Sequence, residues 1–424
     1  MPSSSHGSEI ATIETLSCNA GWRNYHFLKI TTTDGTVGWS EYDEDFGPRG
    51  MTEVIQRYAP MFIGGDVMNH EQVYTRVAAT ARPAPYGMTA EVFGALENAM
   101  LDAKARILGV PVYDLLGGKH RDSIQVYWSH CASWRISHPN HYGSKVSDLA
   151  GVTATGQEAR DRGFTAVKTN MFQYGPNGPK SWGSGFGNPY EPGLNVDRTL
   201  IRDVVKHVDA LRSGVGDDIE ILIDLNFNAR TEGYLRLIRA LEEFDLLWVE
   251  LDLYNPDALA LIRQHATMPI ASCETLFGVR QFLPYLTKQS IDVGIVDVVW
   301  NGVWQSMKIA NTAEAFDVNV APHNFYSHLA TAMSAHFAAA VPNLRIMEHD
   351  VDRLTYDDDL FTGTPTVENG RMTVPSGPGW GIEPIEEEIR RRPPVLRTNY
   401  LGIEKYRCPP TVAATKRWIA MMRE

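Results

Sequence analysis

The 424-residue sequence holds only four cysteines, Cys18, Cys131, Cys273 and Cys408, far apart and with no CxxC pair among them. That argues against a disulfide framework or a thiolate zinc site and suits a reducing compartment. No run approaches 18 apolar residues, so no membrane span is expected, and the opening MPSSSHGSEI has no apolar core to act as a secretory signal. Positive charge is also scarce. The 39 Lys and Arg stand against 51 Asp and Glu, a net charge of −12. Such a chain has no basic field to draw nucleic acid or a membrane surface, although local lysines or a metal could still hold a small anion. Low-complexity tracts and internal repeats are missing as well. What is left is an ordinary globular composition, 43% hydrophobic and 21% charged, large enough for two domains. A cytoplasmic enzyme is the plain expectation.

The chain divides by pattern. Tyr25–Glu41 reads as two strands joined by a turn at Asp34-Gly35. Met88–Gly109 reads as a helix, with Val92, Leu96, Ala99, Ala103 and Ile107 at spacings of three and four and Gly109 and Pro111 as its stop. From Ile124 onward, short apolar runs alternate with amphipathic helical stretches. The runs begin at Ile124, Phe164, Ile219, Leu246, Pro269, Asp292, Val318 and Leu344. Eight successive βα units predict a closed (β/α)8 barrel, TIM-like, with an α+β capping domain. The expected divisions are 1–123 for the N-terminal capping part, 124–374 for the barrel and 375–424 for a segment returning to the cap. After the second run, Phe172–Asp197 is rich in Gly, Pro and Asn and shows no periodicity, so a long loop is expected at the barrel mouth.

A barrel carries its chemistry at the C-terminal ends of its strands. Seven of these ends are ionisable: Lys168, Asp224, Glu250, Glu274, Asp297, His323 and Glu348. Asp224, Glu250 and Glu274 would meet at neighbouring strand tips, where three carboxylates repel unless a cation sits between them. Hard oxygen ligands of this kind suit Mg²⁺. Each could instead cap a helix or pair with a nearby base. Asp297 and His323 end adjacent strands, placing a carboxylate beside an imidazole that could act as a base. Lys168 could hold a substrate carboxylate across from the metal or extend out of the mouth. Glu348 could be an ion-pair partner or, if kept protonated, a donor to substrate. His328 and His349 read as packing or surface residues. Together these residues suit removal of a proton α to a carboxylate, with the resulting enediolate held by charge.

At this point the chain resembles the enolase superfamily, in particular its mandelate racemase-like group of acid sugar dehydratases and racemases. The Mg²⁺-stabilised enediolate with a Lys or His base is a known pattern of that superfamily. DGTVGWSE at Asp34–Glu41, the helix running from Glu97 to its exit before Ile124, and GPGWGIE at Gly377–Glu383 look like the family's capping elements. Asp224 and Asn226 in IDLNFN resemble the first metal ligand and its companion, and Glu250 and Glu274 the other two. Asp297 and His323 match the acid–base dyad, and Glu348 the acid of the eighth strand. Ser129 in VYWSH resembles a substrate-contacting position. The resemblance also implies a homo-oligomer.

Two departures matter. Strand four reads VELDLYNP, so Leu251 stands where the family often has a second acid, which weakens any role for a fourth carboxylate there. Strand two reads VKTN, where the family's pattern is Lys-x-Lys. Lys168 matches the carboxylate-binding lysine, but Asn170 replaces the second, which acts as a base on the other face. An amide cannot take that proton. A racemase needs two bases, so the expectation shifts to a one-base elimination: a Mg²⁺-dependent dehydratase of an aldonate or aldarate giving a 2-keto-3-deoxy acid. Asn170 would then contact a sugar hydroxyl. Tyr174 or Lys180 in the long loop could return the missing acid or base. Residues 17–25 and 43–50 look like substrate-reading loops, with Trp22, Arg23, Tyr25 and Arg49 offering contacts; Arg23 and Arg49 could equally be domain-interface residues. A cycloisomerase of a lactone or anhydro-sugar acid, and a non-catalytic metal-binding relative, are the competing readings.

Overall fold

A computed structural model describes residues 7–80, 86–186 and 193–395. Residues 396–424 of the expected returning segment, with Cys408, and 187–192 of the long loop lie outside the described residues.

The N-terminal part is a three-stranded antiparallel sheet, β1 (Ile10–Ala20), β2 (Arg23–Thr32) and β3 (Val37–Tyr42). The Asp34-Gly35 turn joins β2 to β3, and Gly35 takes φ 87°, a left-handed value that glycine adopts without strain. β1 precedes the two strands expected here. Its inner face alternates with outward polar residues. The helix Met88–Leu108 lies across this sheet and ends on Gly109 at φ 68°. Other elements pack on it besides the sheet, and fifteen of its residues are buried.

All eight anticipated barrel strands form: β4 (Ser123–Ser129), β5 (Ala166–Asn170), β8 (Glu220–Asp224), β9 (Trp248–Glu250), β10 (Ile270–Ser272), β11 (Val293–Asp297), β12 (Asn319–His323) and β13 (Met347–Asp350). They pair in parallel in chain order, and β13 pairs with β4. Val320 exchanges backbone bonds with Asn343 and Arg345, which ties the last strand segment to β12 and closes the ring. Between β5 and β8 the expected loop contains a hairpin of its own, β6 (Phe172–Gly175) and β7 (Gly178–Ser181). Trp182 N donates to Met171 O, so the hairpin is rooted at the end of β5.

The interior is filled by Tyr127, Ala166, Leu222, Trp248, Ala271, Val293, Ile295, Ala321 and Ile346. This core explains the site above it. Side chains alternate along a strand, so the residue two positions beyond an interior one also faces inward, one layer nearer the mouth. Two beyond Tyr127, Ala166, Leu222, Trp248, Ile295, Ala321 and Ile346 come Ser129, Lys168, Asp224, Glu250, Asp297, His323 and Glu348.

Segment 375–391 packs back against the N-terminal part. Trp380 is fully buried, its Nε1 donating to Trp39 O and its N to Asp102 Oδ1, while the helix Glu386–Arg391 lies on β1.

Candidate active site

The strand tips open into a cavity of about 390 Å³. Lys168, Asn170, Asp224, Asn226, Glu274, His323 and Glu348 all line it. Three of the seven residues differ from the expected strand-end position. β5 runs to Asn170, so Lys168 lies within the strand, and Glu348 is the second residue of β13. Glu274 breaks the alternation, since it lies three residues past Ala271, beyond the end of β10. Cys273, at φ 91°, turns the chain and brings Glu274 into the cavity.

Lys168 is the electrostatic hub. Its Nζ lies 2.9 Å from Glu348 Oε1 and 3.2 Å from Glu250 Oε2, with both partners buried. Burial would lower Lys168, but Glu250 and then Glu348 outweigh it and hold the ammonium well above its ordinary range. Burial would likewise raise Glu348. The charges of Lys168 and His323 reverse that and hold its carboxyl below the usual range, so it stands as an ionised partner of Lys168.

The remaining carboxylates behave in the opposite way. Burial pushes Asp224 up to about 6 and Glu250 to about 7, against the pull of Lys168. Glu274 is raised well above its ordinary value, by burial first, with His323 opposing. Asp252 joins them. It is buried, raised to about 6 by burial and then by Glu250, and its Oδ1 accepts from Ser272 Oγ at 3.0 Å and Cys273 N at 3.1 Å. Position 251, where a fourth acid was expected by resemblance, is Leu, and the buried acid stands one residue on. Asp252 has the same parity as Glu250.

These residues fit a hard divalent cation. Glu250 Oε1 is buried with no hydrogen-bond partner among the described residues, and the clustered carboxyls resist ionising together. Among the described residues no three His, Cys, Asp or Glu side chains are gathered into a ready-made coordination cage. Asn226, at φ 47°, donates from its N to Asp224 Oδ1 (2.8 Å) and from Nδ2 to Oδ2 (2.6 Å), and Asn170 Nδ2 lies 3.5 Å from the same Oδ2. Both asparagines orient Asp224.

Across the cavity, His323 Nδ1 donates to Asp297 Oδ2 at 2.6 Å. Asp297 is saturated: Tyr326 OH donates to the same oxygen at 2.6 Å, and Val299 N and Trp300 N donate to Oδ1. His323 Nε2 is left facing Glu274 Oε2 at 3.5 Å. Burial would lower this imidazole, but Glu274 and then Asp297 hold it up at about 10.

Several expected substrate contacts lie elsewhere. Arg23 does not reach the cavity. It pairs with buried Asp350 at 2.9 Å and donates to Phe325 O, so it joins the N-terminal sheet to the barrel, the interface role. Arg49 is exposed and outside the cavity lining. Tyr174 points its hydroxyl at His207 Nδ1, 2.7 Å away, because β6 turns it toward the helix Arg198–Val215. Ser129 is fully buried behind the wall and donates to Glu348 Oε1 at 2.5 Å, so it orients that acid and does not touch the cavity. Trp22 and Tyr25 are buried against Tyr142 and Asp357. His328 and His349 are buried outside the lining. Lys180 does line the cavity, as part of an unbroken wall at residues 179–183. The sequence reading missed His130, Trp134, Phe325 and Trp300 in the lining. Only His130, directly after Ser129, carried a signal that could have found it.

The comparisons agree with this architecture. Residues 12–117 match the mandelate racemase/muconate lactonizing enzyme N-terminal domain, and 152–388 match the enolase C-terminal domain-like family. A solved structure from Burkholderia xenovorans strain LB400, provisionally named an L-alanine-DL-glutamate epimerase and bound to magnesium and fumarate, is 53% identical with a TM-score of 0.92. The match covers 94% of this chain and 99% of that one. A D-galactonate dehydratase family member of Streptomyces bingchenggensis is 30% identical, over 94% of this chain and 96% of its own length. The D-xylonate dehydratase of Haloferax volcanii is 25% identical, over 88% and 86%. With the two halves of the family pattern matched along the chain and its fold reproduced, this protein belongs to the mandelate racemase/muconate lactonizing enzyme group of the enolase superfamily.

Proposed function

We propose that the protein is a Mg²⁺-dependent dehydratase of an acid sugar, an aldonate or aldarate. The observation that carries this reading is that the His323–Asp297 dyad faces Glu274 of the Asp224, Glu250 and Glu274 cluster, while Lys168 pairs with Glu250 of the same cluster. The dehydratase names of the Streptomyces and Haloferax relatives support it, and the magnesium in the Burkholderia structure supports the choice of ion.

Asp224, Glu250 and Glu274 would hold the cation, which supplies positive charge for the substrate carboxylate and for the charge that develops on it. Lys168 adds a fixed ammonium on the same group. Neutral His323 Nε2 takes the α-proton. The C–H electron pair moves into the enediolate form of the acid, and Asp297 keeps Nδ1 protonated and the ring in place. The imidazolium then returns its proton to the departing β-hydroxyl. The C–O bond breaks with its electron pair on oxygen, water leaves, and the enol becomes a 2-keto-3-deoxy acid. Glu274 is the largest influence raising His323 and is also a cation ligand in this reading. Engaging it elsewhere returns the imidazole toward the neutral form that a base needs.

An isomerase is the second reading, favoured by the provisional epimerase name of the Burkholderia relative. Asn170 at the end of β5 speaks against simple proton transfer between two faces. The deciding experiment is a broad acid-sugar screen with Mg²⁺, scored for 2-keto acid and for deuterium uptake from heavy water. A product that has taken up deuterium but lost no water, with no 2-keto acid, would replace dehydration by isomerisation. Inactivity across the library would favour a non-catalytic relative.

A further inference from the structure

His130 is held by a hydrogen bond and a stacked ring. Its Nδ1 lies 2.8 Å from Ser129 Oγ. Its ring stacks on Trp134 with centroids 3.9 Å apart and planes 18° from parallel. Trp134 is in turn fixed by its Nε1 donating to Asp350 Oδ1 at 3.0 Å. The backbone of His130 sits at φ 53°, a conformation a non-glycine residue adopts at a cost, and the ring lines the cavity.

The hydrogen-bond chain fixes the proton. Glu348 carries the Lys168 ion pair and can only accept, so Ser129 spends its single hydroxyl proton on Glu348 Oε1. The Ser129 oxygen is then left to accept, and the contact with His130 is an Nδ1–H donation. In a neutral imidazole this leaves the lone pair on Nε2. Burial keeps His130 neutral, holding it well below its ordinary value.

We propose that His130 is a specificity-determining residue whose Nε2 accepts a hydrogen bond from a donor group of the bound acid, a hydroxyl on the carbons next to the carboxylate. This rests on the acid-sugar reading of the same site. An acceptor fixed in this way binds a hydroxylated acid and penalises the analogue in which C–H replaces O–H, because the buried lone pair is then unpaired. An α-ammonium would present the same donor chemistry, and the test separates the two.

The test measures binding, with turnover blocked by His323→Asn. Calorimetry with saturating Mg²⁺ compares D-gluconate with its 2-deoxy, 3-deoxy and 2-amino-2-deoxy counterparts. The expected result is that one deoxy acid binds at least 10-fold more weakly than D-gluconate. Adding His130→Phe should shrink that ratio to near 1, and adding His130→Gln, whose amide oxygen can still accept, should restore part of it. Nitrogen NMR of the imidazole should show the proton on Nδ1. An unchanged ratio in the His130→Phe background, or a proton on Nε2, overturns the proposal. Preference for the amino acid over the hydroxy acid overturns the hydroxyl assignment. If His130→Phe does not fold, the His130→Gln ratio and the NMR tautomer decide. Failure of the dehydratase reading would appear separately, as no 2-keto acid from any substrate with the unmodified enzyme.

Discussion

Ser129 Oγ donates to Glu348 Oε1 at 2.5 Å, and that same oxygen receives Lys168 Nζ at 2.9 Å. One carboxylate oxygen therefore sets the position of Lys168, the lysine proposed to hold the substrate carboxylate. Ser129→Ala should leave the fold intact and lower kcat/KM roughly 10-fold, the worth of one hydrogen bond to a charged group. Much of the loss should fall on KM. Steady-state kinetics beside a thermal melt would check it, and a variant with normal kinetics would refute the coupling.

Tyr326 and His323 share Asp297 Oδ2, each at 2.6 Å. Tyr326→Phe should reduce kcat about 10- to 100-fold with little change in KM, because Asp297 loses a donor that fixes its position. Asp297→Asn should cost more, since the proton arrangement on the imidazole is no longer enforced.

Mg²⁺ should raise the melting temperature of the protein, because an ion bound only by the folded state stabilises it by mass action. Asp224→Asn should abolish most of this shift. Retention of the full shift would place the ion elsewhere.

Arg23→Met should destabilise the protein by about 3 kcal/mol, the lower end for one partner lost from a buried ion pair. Its partner Asp350 is already raised to about 7 by burial and can take up a proton. The KM of the remaining folded enzyme should barely change, since Arg23 lies outside the cavity.

Burial raises Glu97 from 4.5 to about 8, even though its Oε1 accepts from Trp304 N and Gln305 N at the start of the helix Val303–Glu314. The folded state thus holds this proton more tightly than the unfolded one. The benefit is complete below about pH 4.5 and is lost as pH rises through about 8. Glu97→Gln keeps an acceptor but cannot titrate. Its unfolding free energy should fall less steeply with pH between 5 and 8, by up to about 1.4 kcal/mol per pH unit. Urea unfolding at several pH values measures this slope.

The barrel and its ionisable strand tips were legible because period-two alternation and strand-end residue type are both local. Lys168, Asp224, Asp297 and His323 follow from that rule. Glu274 was identified through its residue type and resemblance, while the geometry that delivers it, a left-handed cysteine, left no mark in the sequence pattern. The choice between substrate and interface for Arg23, and the direction of Tyr174, were not legible because donor chemistry shows in a sequence but side-chain direction does not. Arg23 found its carboxylate 327 residues away at Asp350. Tyr174 sits in a hairpin hidden by a stretch rich in Gly and Pro, where no periodicity announces strands.

Glu41, in β3, accepts from Ser327 N, Ser327 Oγ and Ala330 N, at the start of the helix His328–Ala340 that follows the strand of His323. A swing of the whole N-terminal sheet would strip these bonds from a buried carboxyl. The sheet and the strand of His323 are therefore tied as one body, and under the proposed reading the fit to acids of different length would fall to residues 43–50, which bring Phe46, and to the β6–β7 hairpin. In that reading, edits to these two peripheral pieces would change substrate preference and leave the His323–Asp297 pair as it is.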